Sequence, residues 1–463
     1  MTPPPSSGAT EPRALAMSGQ RNGADHGGRL LWLGVMAVAL TILTAAGPLL
    51  HRRLGGWALI GIFVASAALA AAAARLSERA RSGAALAIIL GAAAAMRLGM
   101  LVAQPSLSSD VYRYVWDGRV QGAGINPYRY VPLAPELARL RDSTIFPNIN
   151  RASYAPTIYP PVAQLIFLVI TRLGDSVLAM RIGMLAFEVV GCAALIVLLR
   201  AIGAPAERVV LYAWHPLPVW EIAGNGHIDA AMIALLLVGL CLAGKGRMLA
   251  AGLAVTLGTL VKPAAAFALP VLWKPWDWRL PLLVVATTLL AYLPYLSVGR
   301  GVFGFLGGYV AEEGLADGTG FKLLTLLSGV TGALPHAAAV YIAVSLTLLL
   351  LLAVAVAFRR DRSQAAALQA LGWLLTAFLV LSSPHYPWYF LALVPFLALK
   401  STATMWVLTV AGVLFYDAVP DVGALPSYEA RIRAFTLLLL LALAYDAWAR
   451  WYKPAPAAIG GTP

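Results

Sequence analysis

The chain has 463 residues, 60% of them hydrophobic and 12% charged, and its mean hydropathy is +0.77. Soluble domains carry about 25% charge, so a soluble fold is excluded and an all-α polytopic membrane protein is implied. The net charge of +13 is no nucleic-acid footprint, because the basic residues fall in short clusters between apolar runs, as cytoplasmic loops do under the positive-inside rule.

Taken in chain order, residues 1–29 are rich in Pro, Gly and Ser and hold no apolar stretch. They read as a disordered cytoplasmic tail rather than a cleaved signal. Apolar runs follow near 30–50, 54–74, 84–103, 178–199, 209–223, 228–243, 248–261, 264–273, 281–298, 337–357, 365–382, 388–399, 403–419 and 433–451. Several are short or contain proline, so about 11 to 14 spans are expected. Cys192 and Cys241 both sit inside apolar runs and read as small core residues, neither a disulfide nor a metal site. Residues 454–463 form a C-terminal tail.

With the N-terminus inside, the clusters at 75–81, 200–208, 245–247, 274–279, 359–362 and 450–453 all face the cytoplasm. Arg52 and Arg53 are the exceptions. The scheme requires that 159–173, which opens Tyr159-Pro160-Pro161, does not cross; about 15 residues suit a re-entrant or juxtamembrane helix. It also places loops 104–158 and 299–335, and the stretch from Ser382 to Tyr389, on the extracytoplasmic side.

The first of these loops is the most informative. It reads Ser108-Ser109-Asp110-Val111-Tyr112-Arg113-Tyr114-Val115-Trp116-Asp117, then Gly124-Ile125-Asn126-Pro127-Tyr128. On a helix, Asp110, Arg113, Tyr114 and Asp117 share one face. A carboxylate at the membrane surface, flanked by aromatic rings, can serve as a general base on a sugar hydroxyl. The competing reading is a helix N-cap at Ser109 or Asp110, opening an interfacial helix.

The pattern Asp-Val-Tyr-x-Tyr followed by Gly-x-Asn-Pro-Tyr resembles the first-loop signature of GT-C glycosyltransferases that use polyprenyl-phosphate sugars. The nearest likeness is to glycosyltransferase family 87 and the polyprenyl-phosphomannose-dependent α-mannosyltransferases. Tyr159-Pro160-Pro161, Gly224-Asn225-Gly226-His227-Ile228-Asp229, Val261-Lys262-Pro263 and Pro384-His385-Tyr386-Pro387-Trp388-Tyr389 look similar in order. The resemblance covers the chain from about residue 84, leaving two accessory helices over 30–83 and a catalytic membrane domain over 84–453.

The resemblance implies a plasma-membrane (inner-membrane) enzyme that moves a hexose, mannose by the nearest likeness, from a polyprenyl-phosphate sugar to a glycolipid or glycan acceptor. The active site faces away from the cytoplasm, and Asp110 matches the family's base; Asp117 is the second acidic candidate. The departing lipid phosphate needs donors at headgroup level, for which Arg113, His227, Lys262, Lys322, His385 and Arg431 are available, with Tyr159 on the same surface. Lys262 can instead cap a helix end and snorkel. His385 can be simply interfacial, and His227 and Asp229 can form a polar pair at a helix start. Arg97, Arg181 and Glu188 read as intramembrane packing pairs, and His215 as part of a kinked helix.

No acidic pair in the first loop has metal spacing, so neither a divalent metal nor any other cofactor is expected. The partners implied are donor, acceptor and membrane lipids; oligomeric state is left open. A transporter or flippase would instead line charges along the spans and show paired broken helices in a pseudo-symmetric sequence. An O-antigen polymerase or ligase would carry its basic residues in a large later loop, whereas 299–335 balances Arg300 and Lys322 against Glu312, Glu313 and Asp317.

Overall fold

In a bilayer an apolar run of about 20 residues becomes a helix, because only there are its backbone groups satisfied within the segment. The computed structural model describes residues 11–332, 336–416 and 425–452, with side chains described over 26–451 of these ranges. It is helical, with no strand among the described residues. The helices are α1 (Glu11–Leu54), α2 (Gly56–Arg79), α3 (Gly83–Val102), α4 (Asp110–Gly122), α5 (Pro161–Leu173), α6 (Val177–Ala201), α7 (Asp229–Gly244) and α8 (Met248–Thr259), followed by α9 (Arg279–Tyr292), α10 (Lys322–Thr331), α11 (Ala337–Ala357), α12 (Gln364–Ser382) and α13 (Tyr428–Tyr452). Residues 1–10 and 454–463, parts of the expected tails, lie outside the described residues.

Eight helices among the described residues are long and apolar enough to cross: α1 from His26, α2, α3, α6, the Arg279–Glu312 stretch, α11, α12 and α13. The protein is therefore a multi-pass membrane protein. The larger number expected from the sequence counted as separate spans several pieces that are short or sharply bent. Pro216–Gly224 and α7 fold on each other across a 120° bend, while α8, Pro263–Leu272, Pro387–Lys400 and Ala403–Phe415 are only 10–17 residues long. Prolines 216, 263 and 387 open three of these pieces, where a missing N–H and a fixed φ favour a helix start over a continuation. α5 has 13 residues, about 20 Å at 1.5 Å per residue. That is short of a hydrocarbon core.

Hydrogen bonds sort the interhelical turns into two layers. In one, Ser82 N donates to Glu207 Oε1 at 3.0 Å, Arg359 and Arg362 donate to the carbonyls of Val271 and Trp273, and Ala403 N donates to Asp446 Oδ1. Apart from Arg52 and Arg53 at the far end of α1, the basic clusters between the apolar runs fall at the helix ends of this layer. In the other, Asn225 Oδ1 accepts from Ser106 N and Leu107 N, both at 3.1 Å, and Lys322 Nζ donates to the carbonyls of Ser383 and Pro384. Between the layers, Arg97 and Glu188 form a buried pair at 2.8 Å, as expected of an intramembrane pair. Arg181 has a different partner: its guanidinium caps the end of α3 through the carbonyls of Met100, Leu101 and Ala103.

The 299–335 loop docks directly onto the 104–158 loop. Phe305 N donates to Thr157 O at 3.1 Å. Gly304 adopts φ 56°, and a Cβ there would meet Thr157 O at 1.7 Å, so this contact admits no side chain.

Candidate active site

Where the turns of the second layer meet, they enclose a cavity of about 590 Å³, within the usual range of about 300–1,000 Å³ for small-ligand sites. Its polar wall consists of Asp110, Arg113, Asn150, Arg151, Asp229 and Lys262; Tyr159, Tyr309, Tyr386, Trp388 and Tyr389 form an aromatic wall. Toward one side the lining turns apolar, with Val302, Phe303, Leu306 and Phe378, and Phe303 and Leu306 are largely exposed on the protein surface. A ligand with a polar head and an apolar tail fits such a gradient.

Each cation in the wall already has a carboxylate. Arg113 Nε lies 2.7 Å from Asp117 Oδ1, one helical turn along α4, where i,i+4 side chains meet. Arg151 Nε lies 2.6 Å from Glu312 Oε2. Lys262 Nζ lies 2.6 Å from Asp229 Oδ2 and 5.1 Å from the Tyr389 ring centroid. Burial pulls the Arg151 guanidinium down, but the hydrogen bond and charge of Glu312 more than offset this and hold it up.

Asp110 differs from the other wall carboxylate. It opens α4 and is half-buried, and no cation pairs with it among the described residues. Asn150 Nδ2 donates to its Oδ1 at 3.1 Å. Ser109 makes no side-chain cap to α4, so the simple N-cap reading of that serine is not what the structure shows. A carboxylate facing a ligand-sized cavity without a neutralising cation is equipped to accept a proton.

Four of the sequence candidates thus share one cavity: Asp110, Arg113, Tyr159 and Lys262. Five others lie elsewhere. Asp117 is buried one turn further along α4 behind Arg113, where Thr157 Oγ1 and Gln164 Nε2 donate to its Oδ2. His227 is fully buried, stacked on Trp388 at 4.5 Å. Its Nε2 is 3.1 Å from Glu221 Oε2 but out of line for a hydrogen bond. His385 Nδ1 contacts Glu313 Oε2 at 2.7 Å and its Nε2 contacts Gly320 O at 3.1 Å. Both ring nitrogens are therefore occupied in fixing the second loop.

Lys322 and Arg431 are likewise turned to backbone carbonyls, Arg431 to those of Leu414 and Tyr416. Lys322, in the second loop, is brought down by burial to about 7, with Glu313 opposing. Among the described residues no group of three His, Cys, Asp or Glu side chains has metal-binding geometry.

The match to known proteins falls on this same wall. The model of the alpha-(1->6)-mannopyranosyltransferase N-terminal domain family matches residues 17–277, more than half of the chain. The chain belongs to this family. Its matched range contains Asp110, Arg113, Asn150, Arg151, Tyr159, Asp229 and Lys262, and also the two helices before residue 84 that were expected as an addition. It ends before the aromatic wall of Tyr309 and Tyr386–Tyr389.

Two family relatives are both called alpha-(1->6)-mannopyranosyltransferase A. The chain is 25% identical to that of Mycobacterium tuberculosis over 333 residues, 63% of this chain and 61% of the relative. It is 28% identical to that of Corynebacterium glutamicum over 190 residues, 39% of this chain and 37% of the relative. The chain thus spans less than two thirds of the length of either one. No solved structure matches it.

Sequence reasoning did not reach Asn150, Arg151, Tyr309 or Glu312. Asn150 is 40 residues from Asp110 and Glu312 is 161 from Arg151. No local periodicity joins such pairs; only the left-handed φ of 54° at Arg151 marks the turn, and that is a structural signal.

Proposed function

We propose that this protein is a membrane mannosyltransferase that takes its sugar from a polyprenyl phosphate and works on the extracytoplasmic face of the plasma membrane, with Asp110 as general base. The observation that carries the reading is the pairing pattern in the cavity wall. Arg113, Arg151 and Lys262 each have a carboxylate partner, whereas Asp110 faces the same space with no cation paired to it among the described residues. The relatives' names support mannose as the sugar, and the resemblance of the first-loop motif to enzymes that use polyprenyl-phosphate sugars supports the donor.

In this reaction an acceptor hydroxyl oxygen bonds to the anomeric carbon as the bond from that carbon to the lipid-phosphate oxygen breaks. The hydroxyl proton goes to Asp110, and the phosphate leaves with the bonding pair. Arg113 and Lys262, on the same wall, stabilise the charge that grows on the phosphate. The apolar lip at Val302, Phe303 and Leu306 accommodates the first isoprene units, and Tyr159 with the aromatic wall packs on the sugar. The acceptor is a glycolipid or glycan. The basic clusters of the opposite layer support an extracytoplasmic cavity.

The test is direct. Purified protein is incubated with a panel of polyprenyl-phosphate sugars and a glycolipid acceptor mixture, and donor loss is followed by mass spectrometry. Loss of the mannosyl donor alone is expected. No consumption of any polyprenyl-phosphate sugar by folded protein would overturn the reading.

A further inference from the structure

The Asp110 carboxylate can rotate about its own side chain, and a base that rotates spends much of its time misaligned with the acceptor hydroxyl. One side chain among the described residues donates to it: Asn150 Nδ2, at 3.1 Å from Oδ1. That hydrogen bond engages one carboxylate oxygen and leaves Oδ2 to receive a proton. Asn150 is not itself held by a regular helix. It precedes Arg151, whose φ of 54° is left-handed, a conformation an L-residue adopts only when its surroundings impose it.

The surroundings here are specific. Arg151 Nε donates to Glu312 Oε2 at 2.6 Å, Tyr154 OH donates to Glu312 Oε1 at 2.9 Å, and Ala155 N donates to Arg151 O at 3.0 Å. Glu312 ends the Arg279–Glu312 stretch, so a residue of the chain's second half fixes the turn that carries Asn150.

Resting on the assignment of Asp110 as base, we propose that Asn150 is the positioning residue of that base. In this arrangement the Arg151–Glu312 strap sets where Asn150 stands. Asn150 never meets the reacting atoms; it orients the group that does. A displacement of about 1 Å at a reacting group costs up to about 100-fold in rate, so the bond has a kinetic signature distinct from a folding role.

The experiment is a double-mutant cycle on the full-length protein in detergent. Asn150→Ala should lower kcat about 10–100-fold while the donor KM stays within about twofold. Combined with Asp110→Asn, it should cost nothing further, because the two residues act as one unit. Glu312→Gln keeps the hydrogen-bond acceptor but removes the charge, and should give a smaller loss with the same split. If Asn150→Ala leaves kcat unchanged, or lowers it by the same factor in the Asp110→Asn background, the inference is wrong. Asn150→Ser replaces Ala in the cycle if the Ala variant shows a lowered thermal midpoint, and the same two outcomes decide. Full activity of the single Asp110→Asn variant is a separate result, which removes the base assignment itself.

Discussion

Lys262 Nζ sits 2.6 Å from Asp229 Oδ2, joining the break after α8 to the first turn of α7 at the cavity wall. The pair is nearly buried, with Asp229 2% exposed. Removing one member of a buried pair costs about 3–5 kcal/mol, because the other charge is left uncompensated. Lys262→Ala alone therefore lowers stability whether or not Lys262 touches the donor phosphate. Adding Asp229→Asn should return most of the detergent thermal midpoint. If Lys262 does engage phosphate, donor KM stays raised about tenfold or more in the double variant, the equivalent of about 1.5–3 kcal/mol for a charged hydrogen bond. A normal donor KM in the double variant would confine Lys262 to holding the two helices together.

The pairing also shows what a sequence reveals and what it hides. Lys262 stood out because a charge between apolar runs is costly, and Asp110 because it opens a short motif. Both line the cavity. The spans were legible for the same reason: length and hydropathy decide them locally. The two histidines looked like phosphate ligands, but His385 is occupied by Glu313 and Gly320 and His227 is fully buried against Trp388, partners brought to them only by the fold. Asn150 lacked any local mark, since its partner is set by the strap to Glu312.

Topology is checked by labelling. With Cys192 and Cys241 replaced, a single cysteine at the exposed Ser143 should react with an impermeant maleimide on intact cells, and one at Arg360 only after lysis. The expectation rests on the basic clusters of the opposite layer and on the bond from Arg362 to Trp273 O, which holds the 359–362 turn in that layer. Reversed labelling would turn the cavity toward the cytoplasm and end the extracytoplasmic mechanism.

The second loop should carry a pH dependence of stability that runs upward. Burial holds Lys322 at about 7, against an ordinary 10.5, with Glu313 opposing and His385 paired to Glu313. Between those values the unfolded chain binds a proton that the folded chain does not, so stability rises with pH from about 7 to about 10.5, by at most about 1.4 kcal/mol per unit. Below about 7 both states are protonated and this contribution is flat. A neutral amine still has two N–H groups for the carbonyls of Ser383 and Pro384, so the clamp survives deprotonation. Thermal midpoints in detergent from pH 7 to 9.5 should therefore rise more in the parent than in Lys322→Met. Equal slopes would mean that Lys322 is not the group responsible.

Asp110 and Asp117 lie seven residues apart on α4 and should fail differently. Asp117 is 1% exposed, paired with Arg113 and bonded by Thr157 and Gln164. Asp117→Asn leaves the Arg113 guanidinium buried without its counter-charge, so it should lower the thermal midpoint as well as activity, by about 3–5 kcal/mol of stability. Among the described residues Asp110 has one side-chain hydrogen bond, from Asn150, and no cation to strand. Asp110→Asn keeps the side-chain shape and should leave expression, midpoint and donor binding near those of the parent. Turnover should fall about 10²–10⁴-fold, the usual contribution of a general base. Measuring midpoint, donor affinity and kcat on both variants separates the roles. An Asp110→Asn protein that turns over normally, beside a folded but inactive Asp117→Asn protein, would move the base two turns along α4 and leave Arg113 without its assigned partner in the mechanism.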